Sequence, residues 1–286
     1  MKVFGVDFTS APQPRKPITC VEACLSGDRL IVEQLYNFTD FVQFEAFLQT
    51  PGPWVAGFDF PFGQPRKLVT NLGWATDWDK YVKHLACLGQ TGFEQVIKEY
   101  RNSRPAGDKH HMRTTDRLAR SVSPMMLAGV PVGKMFFQGA PRLLFSGLNI
   151  HPCRPTADNR TALEAYPALV ARKFIQSQGY KNDKKPKQTP AQEMARRDLV
   201  EGLLSSQLPK QYGLSLEIKT TMAEVLVLDP SADQLDSLLC AIQAGWAISQ
   251  PLFGIPTDCD PTEGWIVDPA LLRTTYPENI LTKAVQ

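Results

Sequence analysis

The stretch VFGVDF, residues 3–8, decides the fold expected of this chain. Its large apolar residues Phe4, Val6 and Phe8 are separated by single residues, which is the two-residue period of a β-strand. The strand ends beside a carboxylate, Asp7. The pattern therefore predicts a buried first strand that delivers an acid to one edge of a sheet.

Two further strands follow this first strand, which we place at 2–8. Residues 17–26 and 29–37 are rich in β-branched and aliphatic residues, as strands are. They are joined at Gly27-Asp28, a dipeptide typical of hairpin turns. The sequence therefore predicts a three-stranded antiparallel meander at the N-terminus.

A helix and a second acid-ending strand come next. Thr39 is expected to cap a helix whose apolar residues lie within 41–48, and the Pro- and Gly-containing stretch 50–53 ends it. The following run WVAGFD, 54–59, is apolar until its last residue, Asp59. It predicts a second buried strand that again ends on a carboxylate.

The middle of the chain has a different character. From about 60 to 150 the pattern is irregular and mainly helical, which predicts a large helical insertion. Residues 161–166 then predict a strand containing Glu164, followed by a helix that begins at Pro167, a favoured first helical position, and ends near Gly179. These elements predict an α/β fold with a mixed sheet, flanking helices and this insertion.

Near the end of the chain, a helix carries two acids on one flank. Ser231 and Gln234 have the spacing of a capping box, which predicts that the helix opens there. Asp233 and Asp236 are three residues apart, so both lie on the same flank of its first turn. We expect residues 1–286 to form one domain, because no repeat or low-complexity linker divides them.

The composition hides a strong segregation of charge. The chain has 31 Lys and Arg against 29 Asp and Glu, and 43% of its residues are hydrophobic, which excludes a disordered protein. Residues 101–120 hold six basic residues against two acids, and 172–197 hold eight against two. Residues 214–268 hold nine acids against one lysine. The near-neutral total is therefore compatible with a polyanionic partner held by local basic segments.

No feature of the sequence predicts a membrane or secreted protein. No run of about 18 apolar residues occurs, so no spanning helix is expected. The acid at position 7 interrupts what would be the apolar core of a signal peptide. The six cysteines form no C-x-x-C pair, which predicts neither a disulfide framework nor a zinc site. We expect a cytoplasmic protein.

Five acids are candidates for a metal site: Asp7, Asp59, Glu164, Asp233 and Asp236. Buried carboxylates are costly unless they are paired or bind a metal, and acids that converge at one sheet edge repel one another. A divalent cation with oxygen ligands, Mg²⁺ or Mn²⁺, would hold them ionised. Alternatively, Asp233 and Asp236 complement the helix dipole, and Glu164 is an acid of the first turn of the next helix.

The order of these motifs resembles a known family. The succession GVDFT, meander, GFDFPFG, LEAYP, DQLDSLLCAIQA and EGWI is similar to the RNase H-like nuclease family called domain of unknown function 429. The resemblance implies an RNase H-like fold. It also implies metal ligands at Asp7 on the first strand, Asp59 on the fourth and Asp236 on the last helix, with Asp233 beside it. Glu164 matches the family's Glu-x-x-Pro segment and is expected at the same edge as a further catalytic acid.

The basic insertion supplies candidates for substrate binding. In a helix, Arg113, Arg117 and Arg120 would line one side, a pattern suited to the phosphates of a nucleic acid. Lys109 and His111 lie just before them. The same pattern is also typical of a solvated helix face, so both interpretations stay open at this point.

These residues predict a metal-dependent nuclease that hydrolyses phosphodiester bonds of DNA or RNA through two metal ions. One alternative is a phosphotransferase of the actin-like and sugar-kinase branch, but its phosphate loop needs glycines, and 8–26 contains none. Another is a non-catalytic nucleic-acid-binding module with the same fold.

Overall fold

A mixed seven-stranded sheet organises the chain in a computed structural model that describes residues 1–275 and the side chains of residues 1–272. The strand order is β5-β6-β4-β1-β2-β3-β7. Strand β2 is antiparallel to both β1 and β3, and the other pairs are parallel. The strands are β1 Lys2–Asp7, β2 Ile18–Ser26, β3 Arg29–Phe38, β4 Trp54–Asp59, β5 Asn149–His151, β6 Arg160–Glu164 and β7 Ser215–Glu217.

The predicted α/β class, the N-terminal meander and the acid-ending strands are confirmed. Strands β5 and β7 were not predicted, because three residues are too few to show a period. The helices are α1 Phe41–Leu48, α2 Arg66–Asn71, α3 Trp78–Asn102, α4 Thr114–Ala119, α5 Val132–Phe145, α6 Pro167–Ile175, α7 Pro190–Leu204, α8 Gln207–Tyr212, α9 Thr220–Leu228, α10 Asp233–Ile248 and α11 Pro269–Thr275.

Helices cover both faces of the sheet, so each face has its own core. Phe4 and Val6 point to the face covered by α1, α3 and α5, where they share a core with Trp78 and Phe136. Val3 points to the opposite face, which is covered by α6, α7 and α10. Helices α3 and α5 of the segment 60–150 thus share one hydrophobic core with this face of the sheet.

Helix α10 approaches β1 and β4 closely through a pair of glycines. Gly5 and Gly57 are direct neighbours in the parallel register of the two strands. A Cβ at Gly5 would collide with the backbone of Ser237 and Ala241, and one at Gly57 would meet the Cys240 carbonyl oxygen. Only glycine leaves room for the helix at these two points, and this contact places α10 against the strands that end on Asp7 and Asp59.

Two predicted helix starts are corrected by the structure. Asp40, and not Thr39, caps α1, and its carboxylate accepts from a first-turn N–H at 2.8 Å. Helix α10 begins after Ala232 without a side-chain cap, because the Ser231 hydroxyl donates to Asp229 at 2.8 Å instead. In both cases the hydroxyl that the spacing favours donates to a neighbouring side chain instead, since Thr39 donates to the Gln43 side-chain oxygen at 3.4 Å.

Three further observations concern the C-terminal segment, the cysteines and the helices. The segment that contains the EGWI motif makes one isolated parallel bridge to the sheet, between Ile266 and Glu164. All six cysteines are free thiols. None of the helices within residues 1–275 combines the length and the apolar character needed to cross a bilayer.

Candidate functional site

Two of the predicted acids meet at the carboxyl edge of the sheet. Asp7 is the last residue of β1 and Asp59 the last of β4, and they are register partners in this parallel pair. Neighbouring strands lie about 4.8 Å apart, so the two carboxylates stand side by side. Burial raises the pKa of Asp59 to about 7, against the lowering effect of Lys181. A partner charge this close makes ionisation of both acids costly.

The third acid comes from α10. Asp236 has no exposed surface, and its two oxygens accept from the Tyr180 hydroxyl at 2.6 Å and from the Lys181 ammonium. The helix is held at β1 by the Asp7 backbone N–H, which donates to the Ser237 hydroxyl at 3.2 Å. Burial raises the pKa of Asp7 well above its usual range, and the charge of Asp236 raises it further. Asp7, Asp59 and Asp236 therefore form one electrostatic group, here called the acid cluster.

Lys181 is the cation of the acid cluster. Burial lowers its pKa, but the attraction of Asp236, with smaller contributions from Tyr180 and Asp7, outweighs this effect and holds the pKa well above its usual value. Its side chain nevertheless keeps 44% of its surface exposed. The sequence predicted only a solvated basic loop at 181–190, and nothing in the pattern distinguishes its first lysine from the three that follow.

Asp233 lies next to the acid cluster but has its own partner. Lys16, in the loop between β1 and β2, donates to Asp233 and to Asp183, both at 2.8 Å. Burial raises the pKa of Asp233 although Lys16 opposes the shift. Lys16 thus ties three segments together at the mouth of the site, which sequence reasoning did not predict.

Glu164 ends β6 at the same edge, as predicted, but its oxygens are already engaged. Arg113 donates to them at 2.6 and 2.8 Å, and the Phe62 N–H adds a third bond at 2.9 Å. Arg113 also donates to both oxygens of Asp116 and to the Glu263 carbonyl. These bonds occupy both oxygens of Glu164, so its expected part in catalysis requires the Arg113 contacts to open.

The same contacts correct the prediction for Arg113. All five of its N–H groups are used, and the residue is 1% exposed. A guanidinium in this state has no donor left for a phosphate. Arg113, Asp116 and Glu164 are instead a buried ion network that fixes α4 to the end of β6.

The other predicted substrate contacts lie away from the acids. His111 is buried and shares a 2.6 Å hydrogen bond with the Tyr100 hydroxyl, so it is a packing residue rather than a ligand of phosphate. Lys109 is exposed, and Arg117 is exposed while donating to the Met112 carbonyl at 2.7 Å. None of the three is among the residues that line the clefts at the acid cluster.

An open cleft of about 550 Å³ lies over Asp7 and Asp59. Lys16, Lys181 and Asn182 form part of its polar wall, and a smaller cavity of about 80 Å³ adjoins it at Asp59. The remaining lining residues carry hydroxyl, carboxylate or apolar side chains, namely Phe8, Thr9, Ser10, Val130, Pro131, Met135, Asp183 and Asp233.

Comparison with known proteins assigns no family. No family model matches the chain, and no curated protein or solved structure is significantly similar to it. The cleft and the acid cluster are therefore the basis for any functional assignment.

The acid cluster has oxygen donors that suit a divalent cation, but its side chains are not arranged around one. Among the residues with described side chains, no group of three or more His, Cys, Asp and Glu is arranged to hold a metal ion. In the acid cluster the Lys181 ammonium supplies the positive charge instead. The donor chemistry fits Mg²⁺ or Mn²⁺, because all three acids offer only carboxylate oxygens. Lys181 is thus the positive charge that faces these carboxylates.

Proposed function

We propose that this chain is a metal-dependent hydrolase of nucleic-acid phosphodiester bonds, built on an RNase H-like sheet. The observation that carries the proposal is the pairing of Asp7 with Asp59 in the lining of an open cleft, with Asp236 buried close to them. These acids come from the first strand, the fourth strand and the last long helix. The resemblance to the nuclease family implies metal ligands at the same three positions.

The acid cluster would hold Mg²⁺ or Mn²⁺ through Asp7, Asp59 and Asp236, with Lys181 withdrawn. The bound ion supplies Lewis-acid stabilisation of the phosphoryl oxygens and an activated water. Asp233 lies beside the cluster but is paired with Lys16, so its predicted part as a further ligand requires that pair to open. Glu164 would contribute by holding Arg113, which with it lines the smaller cavity beside the cleft.

Phosphate binding falls to the lysines of the cleft instead of the arginines of the insertion. Lys16 and Lys181 line it together with the hydroxyl residues Thr9 and Ser10. Ammonium and hydroxyl groups are the usual partners of backbone phosphates and carry no sequence preference. The substrate class proposed is therefore DNA or RNA contacted through its backbone.

The test is cleavage of labelled single-stranded and duplex DNA, RNA and RNA–DNA hybrid by the whole protein with Mg²⁺ or Mn²⁺. We expect Asp7→Asn, Asp59→Asn and Asp236→Asn each to lower the rate at least about a hundredfold. Asp28→Asn is the matched control, because Asp28 is an exposed acid in the β2–β3 turn. It should cleave at the wild-type rate.

Two outcomes would overturn the proposal: a wild-type protein that cleaves none of these substrates with either metal, or cleavage that survives in Asp7→Asn. An ATP titration tests the phosphotransferase alternative. The loop between β1 and β2 has no glycine to cradle phosphates, so we expect no binding.

A further inference from the structure

We propose that Lys181 is an exchangeable counterion: it neutralises the acid cluster while no divalent cation is bound, and it moves to the substrate phosphate when one enters. This inference rests on the proposed function and assigns a positioning role to a residue that neither the motifs nor the resemblance marked. It follows from the contacts of Lys181, its exposure and its place in the cleft.

The contacts place the ammonium where a metal would have to bind. Lys181 pairs directly with Asp236 and interacts electrostatically with Asp7 and Asp59. Like charges a few ångströms apart repel by several kcal/mol at a partly buried site. A divalent ion and this ammonium therefore exclude each other from the acid cluster.

The exposure of Lys181 permits its departure. Its side chain is 44% exposed although its partner Asp236 is fully buried, so the stem approaches the acids from the solvent side. The lysine stem is flexible and its ammonium is well hydrated in water. Arg113 is the contrast within the same region: it is 1% exposed and its donors are all used, so that ion network is permanent.

The charge balance favours the exchange. Three carboxylates and one ammonium meet in the acid cluster, where Lys181 pairs directly with Asp236 and lines the cleft together with Asp7 and Asp59. A divalent cation brings twice the charge in the same space and can bind several oxygens at once. The metal is therefore the stronger partner for the acids once it is present.

The cleft offers the released ammonium a second partner. Lys181 lines the cleft together with Asn182 and Asp183, and Asp183 is already paired with Lys16. A phosphate in the cleft is then the nearest unpaired anion. Entry of the metal would thus move the Lys181 ammonium from Asp236 to the phosphate of the substrate.

The test compares Lys181→Met with wild type by calorimetric titration of the whole protein with Mn²⁺. Removal of the competing charge should tighten Mn²⁺ binding about tenfold, which corresponds to about 1.4 kcal/mol. Lys184→Met is the matched control, an exposed lysine three residues along the same loop. It should leave Mn²⁺ affinity within about twofold of wild type.

A second readout follows the other half of the exchange. With Ca²⁺ as a metal that keeps the substrate intact, Lys181→Met should bind a short labelled DNA strand about fivefold more weakly than wild type, and Lys184→Met much less so. If Lys181→Met melts at a much lower temperature, Lys181→Gln replaces it in both titrations. Unchanged or weaker Mn²⁺ binding in a folded Lys181 variant would overturn the inference.

The results also separate this inference from the proposed function. Tighter Mn²⁺ binding by Lys181→Met in a protein that cleaves no nucleic acid would keep the exchange and remove the nuclease. Cleavage that is lost in Asp7→Asn, together with equal Mn²⁺ affinity of wild type and Lys181→Met, would support the nuclease and overturn the exchange. No Mn²⁺ binding by either protein would remove both.

Discussion

The raised pKa of Asp59 makes the stability of the protein depend on pH. In the unfolded chain its pKa is about 3.9, whereas burial raises it to about 7 in the folded protein. The folded protein therefore holds a proton that the unfolded chain has released, and stability falls as the pH rises from about 4 to about 7. The buried carboxyl of Asp59 therefore lowers the free energy of unfolding at neutral pH.

We predict that Asp59→Asn is more stable than wild type by about 1–3 kcal/mol at pH 8, because its side chain needs no proton to be neutral. The difference should vanish near pH 4, where Asp59 of the wild type is protonated. Urea unfolding at a series of pH values measures it. Equal stability of the two proteins at pH 8 would contradict the raised pKa, and Asp28→Asn serves as the control.

Arg113 is a residue whose loss should destabilise the fold. We predict that Arg113→Met costs about 3–5 kcal/mol, because Glu164 and Asp116 would stay buried without their partner. Arg117→Met, an exposed arginine of the same helix region, should change the free energy of unfolding by less than about 0.5 kcal/mol. Denaturant unfolding compares them, and similar small effects for both would show that Arg113 is free to serve another role.

At the scale of elements, the position of α10 depends on two glycines. Gly5 lies two residues before Asp7 and Gly57 two residues before Asp59, so each glycine shares a sheet face with its acid. The helix packs directly on the glycine pair, and the same packing brings Asp236 to the acids. The Gly-x-Asp motif on both strands therefore combines the contact with α10 and the placement of an acid at the end of the strand.

We predict that Gly5→Ala destabilises the protein by about 3 kcal/mol, because the new methyl group meets helix backbone that cannot move aside. It should also weaken Mn²⁺ binding, since α10 must shift and carry Asp236 with it. Gly179→Ala is the control, because a Cβ there meets nothing within 4 Å. A Gly5→Ala protein as stable as Gly179→Ala would show that α10 does not rest on β1 as described.

At the scale of the whole molecule, the helical insertion and the sheet share one core. Phe4 and Phe58 of the sheet lie in the same cluster of buried residues as Tyr81, Phe93 and Phe136 of the insertion. Removal of the insertion would expose this face of the sheet to water, at about 25 cal/mol for each Å² of apolar surface. We therefore expect the helices of 60–150 and this face of the sheet to unfold together.

We predict that the protein unfolds in one cooperative transition, with equal calorimetric and van't Hoff enthalpies. Scanning calorimetry at low protein concentration is the measurement. Two resolved transitions, one of them lost when Phe136→Ala weakens the insertion, would indicate that 60–150 folds separately.

The sequence predicted those parts of the molecule that local chemistry controls. The alternation in 3–8 and the apolar run 54–59 located β1 and β4 with their terminal acids, because the period of a strand depends only on neighbouring residues. The meander followed from its turn residues. The short strands β5 and β7 escaped detection, because three residues carry no period and their pairing depends on distant strands.

The partners of the charged residues were decided by tertiary structure alone. Arg113 and Glu164 are 51 residues apart in the chain, and Lys181 and Asp236 are 55 apart. A run of charges in the sequence does not reveal which member is buried, since ion pairing depends on distance in space and on exclusion of water. The sequence by itself determined which strands end on acids. Only the folded chain, through the close approach of α10 to Gly5 and Gly57, brought those acids together and set Lys181 among them.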